Sequence, residues 1–207
     1  MRSRGNPRDV QTRQSLAREA ARVMFDGGIR DFALAKRKAL ERLHLPPATP
    51  LPRNEEIEQA LLEHQRLFGG AEQAHRLREQ REAAVAAMHE FAAFDPRLVG
   101  PVLSGSADRN CTVCLHLFAD AAEEVEWRLL DLGIPHRNTE QRLRMSTGEF
   151  ARVPGFGFLA ADIAVELLVF SGRTRRHTPL SPVDGKAMRR AALAEVNRLL
   201  APAPGFG

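Results

Sequence analysis

The sequence contains a Cys-x-x-Cys-x-His pattern, which brings together the thiols of Cys111 and Cys114 and the imidazole of His116. Such groups can ligate zinc, and a thiol beside an imidazole can also act as an activated nucleophile. If the segment is a strand, Cys111 points to one face and Cys114 and His116 to the other, because strand side chains alternate. We therefore predict packed strand residues here. A site in which Cys114, His116 and Glu166 converge is kept as the alternative.

An arginine-rich cluster near the C-terminus could bind an anion. Residues 181–185 read Ser-Pro-Val-Asp-Gly, a composition typical of tight turns, and lead into a predicted helix over residues 186–200. Backbone donors at the start of that helix could meet a phosphate together with basic side chains. These side chains are Lys186, Arg189 and Arg190, and the wider cluster adds Arg173, Arg175, Arg176 and His177.

The most specific pattern lies between residues 98 and 120. A predicted buried strand over residues 98–103 is followed by Gly105-Ser106, a polar turn, a second predicted strand over residues 112–118 and an amphipathic helix. This order resembles the core of the DNA polymerase β type nucleotidyltransferases. In that family a Gly-Ser turn holds the β and γ phosphates of a nucleotide. Three carboxylates on two strands hold two magnesium ions, which position and neutralise the transferred phosphate.

The resemblance covers about residues 98 to 170 and implies roles for individual residues. Gly105 and Ser106 match the phosphate turn, and Glu166, in a predicted strand over residues 163–170, matches the third carboxylate. The two principal metal positions depart from the family pattern, since Thr112 and Cys114 stand where the family has aspartates. A neutral hydroxyl and a soft sulfur do not replace carboxylates as magnesium ligands.

The degenerate metal positions are therefore Thr112, Cys114 and, two residues further along the strand, His116. The resemblance implies a binding or regulatory module that takes a nucleotide or another phosphate ligand and lacks metal-dependent transfer. No cofactor is expected on this interpretation. The alternative is an active nucleotidyltransferase with an altered metal site, in which magnesium is the cofactor and Glu166 is the catalytic carboxylate.

The chain is also similar to bacterial proteins that carry the label UDP-N-acetylmuramate alanine ligase. Such a ligase needs a glycine-rich ATP loop that ends in Gly-Lys-Ser or Gly-Lys-Thr. The single Gly-Lys pair of this chain, Gly185-Lys186, is followed by alanine. The sequence therefore gives that activity no support.

The elements that must position these residues change in kind near residue 95. Before it, apolar residues recur every three or four positions, which predicts helices over about residues 9–25, 31–45, 54–68 and 71–94. After Pro96 the period falls to two, which predicts further strands over residues 134–137, 142–146, 150–158 and 163–170. We expect an α+β protein in which a helical region, residues 1–95, packs on a nucleotidyltransferase-like mixed-sheet domain, residues 96–207.

Composition narrows the range of partners. The formal net charge is only +4 in 207 residues, and basic and acidic residues are balanced in both halves, so neither half is a basic tail. No apolar run approaches the ~20 residues that cross a bilayer, and the arginine-rich start has no apolar segment of the signal-peptide type. These features predict a cytoplasmic protein with no membrane partner.

Nucleic-acid binding by the N-terminal helices is the competing interpretation. Residues 18–33 resemble the opening of tetracycline-repressor-like helix-turn-helix domains. In such a domain the recognition helix follows a short, glycine-containing turn, but residues 45–52 form a proline-rich linker. We therefore favour the phosphate-ligand interpretation over nucleic-acid binding.

Overall fold

The computed structural model describes residues 7–171, 174 and 176–201, so Arg173 and Arg175 of the basic cluster lie outside the described residues. Contacts divide the chain into a smaller unit, residues 1–74 with 182–184, and a larger unit, residues 75–181 with 185–207. Across the described part of the chain, no helix is both long enough and apolar enough to cross a membrane. The helices are α1 (Pro7–Gly27), α2 (Phe32–Arg42), α3 (Asn54–Phe68), α4 (Gly70–Glu90), α5 (Pro101–Ser104), α6 (Ala122–Asp131) and α7 (Leu193–Leu200), with a 3-10 turn at Ala92–Phe94. The strands are β1 (Arg97–Val99), β2 (Val113–Phe118), β3 (Arg137–Arg144), β4 (Phe150–Ala160) and β5 (Ile163–Phe170).

The smaller unit contains α1, α2 and α3, which contact one another through the apolar faces that the sequence predicts. Asp31 caps α2, since its carboxylate accepts a hydrogen bond from the amide of Leu34 at 2.9 Å. Residues 43–53 connect α2 to α3 and are much longer than the turn of a helix-turn-helix motif. α2 and α3 therefore do not have the spacing of that motif.

The larger unit is built on a mixed sheet. The described strands form one five-stranded sheet in the order β1-β2-β5-β4-β3. β2 and β5 are parallel, and the other neighbouring pairs are antiparallel. The predicted α+β fold class is confirmed, and so is the prediction that the strand of Cys114 lies beside the strand of Glu166.

One face of this sheet is covered by α4, α6 and α7. The side chains of alternate residues on β2 and β5 are buried there, because a strand directs every second side chain to the same face. The helices add the apolar residues Ala84, Met88, Val125, Leu129 and Val196 to this core, and Phe91, directly after α4, adds its ring. The change from helical to strand sequence comes near residue 95, but contacts place α4 from residue 75 onward in the sheet's own unit.

Three sequence-based strand predictions are wrong in extent. The strand predicted over residues 98–103 ends as β1 at Val99, because Gly100 turns the chain with a φ of 72° and Pro101 begins the single-turn helix α5. The two strands predicted over residues 134–137 and 142–146 are one continuous strand, β3, which pairs with β4 over its full length. The polar residues 138–141, which separate the two predicted strands, are therefore part of the strand, because they pair with β4 in the hairpin.

The helix predicted over residues 186–200 is also wrong in extent, since α7 begins only at Leu193. The preceding segment is extended and makes long-range backbone bonds. The amide of Met188 donates to the carbonyl of Pro179 at 2.8 Å, and the amide of Ala191 donates to the carbonyl of Leu98 at 2.9 Å. Pairing with β1 and with residue 179 thus replaces the first turns of the predicted helix.

Candidate functional site

The sheet face that α4, α6 and α7 leave uncovered carries the residues that the sequence singles out. We call it the Glu166 face. It presents Cys114, His116 and Phe118 from β2, and Glu166, Leu168 and Phe170 from β5. Cys111, by contrast, is buried in the core under the helices, so its predicted separation from Cys114 and His116 is confirmed.

Cys114 and Glu166 are direct neighbours across the parallel strands β2 and β5. Register partners on adjacent strands lie about 4.8 Å apart, so both side chains leave the sheet at the same place. Burial, reinforced by the Glu166 carboxylate, raises the pKa of the Cys114 thiol far above its ordinary value. The thiol is therefore neutral at physiological pH and is a poor nucleophile.

Gln141 is the hydrogen-bond partner of Glu166. Its Nε2 donates to Oε2 of Glu166 at 2.6 Å, although β4 lies between their strands. The bond can pass over β4 because that strand presents two glycines, Gly155 and Gly157, on this face. A Cβ at Gly155 would lie only 2.5 Å from the carbonyl oxygen of Leu167, so no larger residue fits there.

His116 and Arg190 form the second polar group of the Glu166 face. Nε of Arg190 donates to Nδ1 of His116 at 3.1 Å, and the imidazole is only 1% exposed. Burial, together with the positive charge of Arg190, lowers the pKa of His116 to about 3. The imidazole is therefore neutral and accepts a hydrogen bond from a permanent cation.

The Gly105-Ser106 turn follows α5 rather than a strand. Gly105 has a φ of 91° and ends α5, with its amide donating to the carbonyl of Pro101 at 2.8 Å. The amide of Ala107 donates to the same carbonyl at 3.2 Å, and Oγ of Ser106 lies 2.9 Å from Oγ of Ser104. Two amides that a phosphate turn would offer to a ligand thus close the helix end.

Side chains of α4 donate hydrogen bonds to α5 and to the loop that follows it, residues 105–112. Nε2 of Gln80 donates to the carbonyl oxygens of Asp108 at 2.8 Å and Cys111 at 3.2 Å, and Gln80 is almost fully buried. Nε of Arg81 donates to the carbonyl of Val102 at 3.2 Å. These side chains replace the regular backbone pairing that the loop lacks.

Replacing Gln80 with alanine is expected to lower the free energy of unfolding by about 2 kcal/mol, because one buried and one partly buried carbonyl group lose their donor. Gln80→Met is the matched variant, since it keeps the length of the side chain and removes the donor. Chemical unfolding should show a similar loss for both variants. If Gln80→Met is as stable as the natural protein, packing rather than hydrogen bonding holds the loop.

Lys186 and Arg189 lie in the extended segment before α7, so the predicted anion site at a helix N-terminus is not formed by these residues. The tight turn before them is present, because the amide of Gly185 donates to the carbonyl of Ser181 at 2.9 Å. Lys186 is exposed, and Arg189 is exposed and forms an ion pair with Glu195. Arg190, by contrast, reaches the Glu166 face, where its Nε bonds to His116.

Thr112 immediately precedes β2, and Glu166 is the single carboxylate at the three positions that the nucleotidyltransferase resemblance assigns to metal ligands. No family model, no curated protein and no solved structure matches this chain. The resemblance therefore depends on the residues of the Glu166 face and on the order of the elements that carry them.

The chemistry of these positions does not fit magnesium, which binds hard oxygen ligands in octahedral geometry. Cys114 offers a neutral thiol, Thr112 a hydroxyl, and one oxygen of Glu166 is engaged by Gln141. Within the described ranges, no group of three or more His, Cys, Asp or Glu side chains is placed to hold a metal ion. The convergent site of Cys114, His116 and Glu166 is thus not assembled there, since Nδ1 of His116 faces Arg190 instead.

Sequence reasoning missed four contributors to this face: Gln141, Arg97, Phe118 and Phe170. Parity along the strands could have found the two phenylalanines, because each lies four residues after Cys114 or Glu166 and therefore on the same face. Gln141 required the register of the β3-β4 hairpin. Arg97 required the pairing of β1 with β2, in which it is opposite His116.

Proposed function

We propose that this protein is a nucleotidyltransferase-like binding or regulatory module that takes a nucleotide or another phosphate ligand and lacks metal-dependent transfer. One observation carries the proposal: Cys114 lies directly opposite Glu166 on the same face of a parallel strand pair. This is the position at which the resembled family has its facing metal carboxylates. This register supports the interpretation of a site of that kind in which Thr112 and Cys114 replace the two principal carboxylates.

The loss of transfer follows from the charge of the site. Phosphoryl transfer depends on positioning and on neutralisation of the phosphates, for which paired divalent ions are the usual means. Two such ions carry four positive charges, and the assigned positions offer a single carboxylate, that of Glu166. A thiol whose pKa is raised by burial adds no negative charge.

Binding of a phosphate ligand is supported by the cations on the Glu166 face. Arg190 and Arg97 both lie beside His116, one through a hydrogen bond and the other as its register partner on β1. Guanidinium groups suit phosphate because their planar donors can bond two oxygens at once. The neutral His116 between them adds no competing negative charge.

The protein is expected to transfer no label from ATP, CTP, GTP or UTP to itself, to RNA or to a small acceptor in magnesium or manganese. Glu166→Gln is the matched variant, because it removes the carboxylate charge and keeps a partner for Gln141. Both proteins should remain at the background of the assay. Incorporation by the natural protein that Glu166→Gln abolishes would establish the alternative, an active nucleotidyltransferase with an altered metal site.

A further inference from the structure

The guanidinium group of Arg190 is fixed by contacts on several sides. It lies 5.0 Å from the ring centroids of both Phe118 and Phe170, a distance typical of cation–π contacts. Its Nε donates to His116, and its Nη1 donates to Oγ1 of Thr178 at 3.4 Å. The group is therefore oriented before any ligand arrives, which lowers the entropic cost of binding.

The positive charge of Arg190 is not neutralised by the protein groups described. No carboxylate in the described residues forms an ion pair with it, and its Nη2 is buried without a hydrogen-bond partner. Burial and the nearby charge of Arg97 both lower the pKa of Arg190. A buried cation with an unbonded N–H group costs free energy unless an anion or a water molecule accepts a hydrogen bond from that group.

Arg97 can supply further donors to the same place. Nη2 of Arg97 donates to both carboxylate oxygens of Asp95, at 2.7 and 2.8 Å, while its Nε and Nη1 make no hydrogen bond to the described residues. Its side chain is 32% exposed, so part of it is open to solvent. Arg97 and Arg190 thus flank His116 with two positive charges, of which the Asp95 carboxylate offsets one.

We propose that Arg190 and Arg97 form an oxyanion site on the Glu166 face, beside His116, and that it takes the phosphate group of a phosphomonoester or free phosphate. The inference rests on the proposed function and gives its phosphate ligand a definite position. Nη2 of Arg190 and the free donors of Arg97 bind the oxygens. An anion suits the site better than a neutral group, because the two guanidinium groups carry one more charge than the Asp95 carboxylate that pairs with Arg97.

This position differs from the two that the sequence predicts. At the Gly105-Ser106 turn the amides of Gly105 and Ala107 are already bonded to Pro101. In the extended segment Arg189 is neutralised by Glu195. The site is also separate from the Cys114 and Glu166 pair, which lies one register step, or two residues and about 7 Å, along the strands from His116.

The test is calorimetric titration of the full chain at low salt with three probes: inorganic phosphate, AMP and adenosine. Phosphate and AMP should bind and adenosine should not, and the affinity should fall as salt rises, since the contacts are electrostatic. Arg97→Gln should weaken binding by roughly tenfold or more, and Arg190→Gln should abolish it. Arg198→Gln removes the same charge from an exposed position on α7 and should bind as the natural protein does.

Melting curves show whether Arg190→Gln is folded. If it is not, Arg97→Gln still tests the site, because Arg97 is more exposed and its replacement should affect folding less. If phosphate or AMP binds equally to the natural protein and to both site variants, the arginine site is wrong although a phosphate-binding function survives. If neither phosphate compound binds to the natural protein, both the site and the proposed function fail. Binding of AMP but not phosphate, with the same loss in the variants, supports the site and identifies a phosphomonoester as the ligand.

Discussion

The Cys114→Asp variant is expected to be markedly less stable than the natural protein without metal and to recover stability when manganese is added. The introduced carboxylate would leave the sheet directly opposite Glu166, whose Cα is its register partner on the adjacent parallel strand. Two like charges at that spacing repel, and partial burial adds a desolvation cost. We expect a loss of about 3 kcal/mol at pH 7 and a melting temperature lower by roughly 10 °C.

Metal should reverse this loss, because a divalent ion binds the paired carboxylates only when the protein is folded. At one hundred times its dissociation constant, such an ion adds about 2.7 kcal/mol of stability. Adding Thr112→Asp supplies a third carboxylate from the residue just before β2 and should strengthen the response. The natural protein, with its neutral thiol, is expected to show no comparable shift with manganese.

Three observations isolate the charge effect in this variant. Cys114→Asn has the same size without the charge and should be indifferent to metal, and Cys114→Asp with Glu166→Gln should lose most of the response. The pKa of the carboxyl pair is raised by mutual repulsion, so the destabilisation should be absent below about pH 4 and grow as pH rises. If calorimetry finds Cys114→Asp unaffected by millimolar manganese, the Glu166 face is not related to a metal-binding cleft.

The shared face of Cys114 and Glu166 could be predicted from two sources. Alternation along each strand shows which side chains share a face, and the resemblance to the nucleotidyltransferase core implied that the two strands are neighbours. The same alternation predicted that Cys111 and Cys114 face opposite sides, and Cys111, which precedes β2, is buried in the core under the helices. Helix positions in the first half were predictable for a similar reason, since caps and glycine or proline stops such as Asp31 and Gly69 act within a few residues.

The place of Arg190 could not be predicted, because it depends on pairing between distant parts of the chain. Helical spacing over residues 186–200 is a local signal, yet the bonds of Ala191 to Leu98 and of Met188 to Pro179 hold the first part of that segment extended. One consequence is that Arg190 turns toward His116, 74 positions earlier in the chain. The helical spacing therefore showed a cluster of basic residues but not which of them would contact His116 on β2.

Acid is expected to destabilise the protein through His116 over a range in which most carboxylates do not titrate. Burial and the charge of Arg190 lower the pKa of His116 to about 3 in the folded state, whereas an unfolded histidine titrates near 6.5. The unfolded chain therefore takes up a proton that the folded protein does not. The stabilisation is complete above pH 6.5 and is lost progressively as pH falls toward 3. This single group should reduce the free energy of unfolding by about 2 kcal/mol between pH 8 and pH 5.

His116→Asn separates this titration from the packing of the ring. The asparagine Oδ1 can stand near the position of Nδ1 and accept the hydrogen bond from Arg190, but it does not titrate. The variant should lose stability at every pH because the contact with Phe170, at 4.5 Å between ring centroids, is removed. Its unfolding free energy should nevertheless change less with pH than that of the natural protein, by about 2 kcal/mol over the same interval.

A further variant at His116 controls for the charged groups that face it. These are Arg190, which bonds to Nδ1, and Arg97, which pairs with the Asp95 carboxylate. His116→Leu provides the opposite control, because it also abolishes the titration but leaves Nε of Arg190 without its acceptor and should be the least stable variant at pH 8. Equal pH slopes for the natural protein and His116→Asn would mean that His116 is protonated in the folded state. In that case Nδ1 would carry a proton and could not accept from Arg190, so the anion site would lose the contact that orients its main cation.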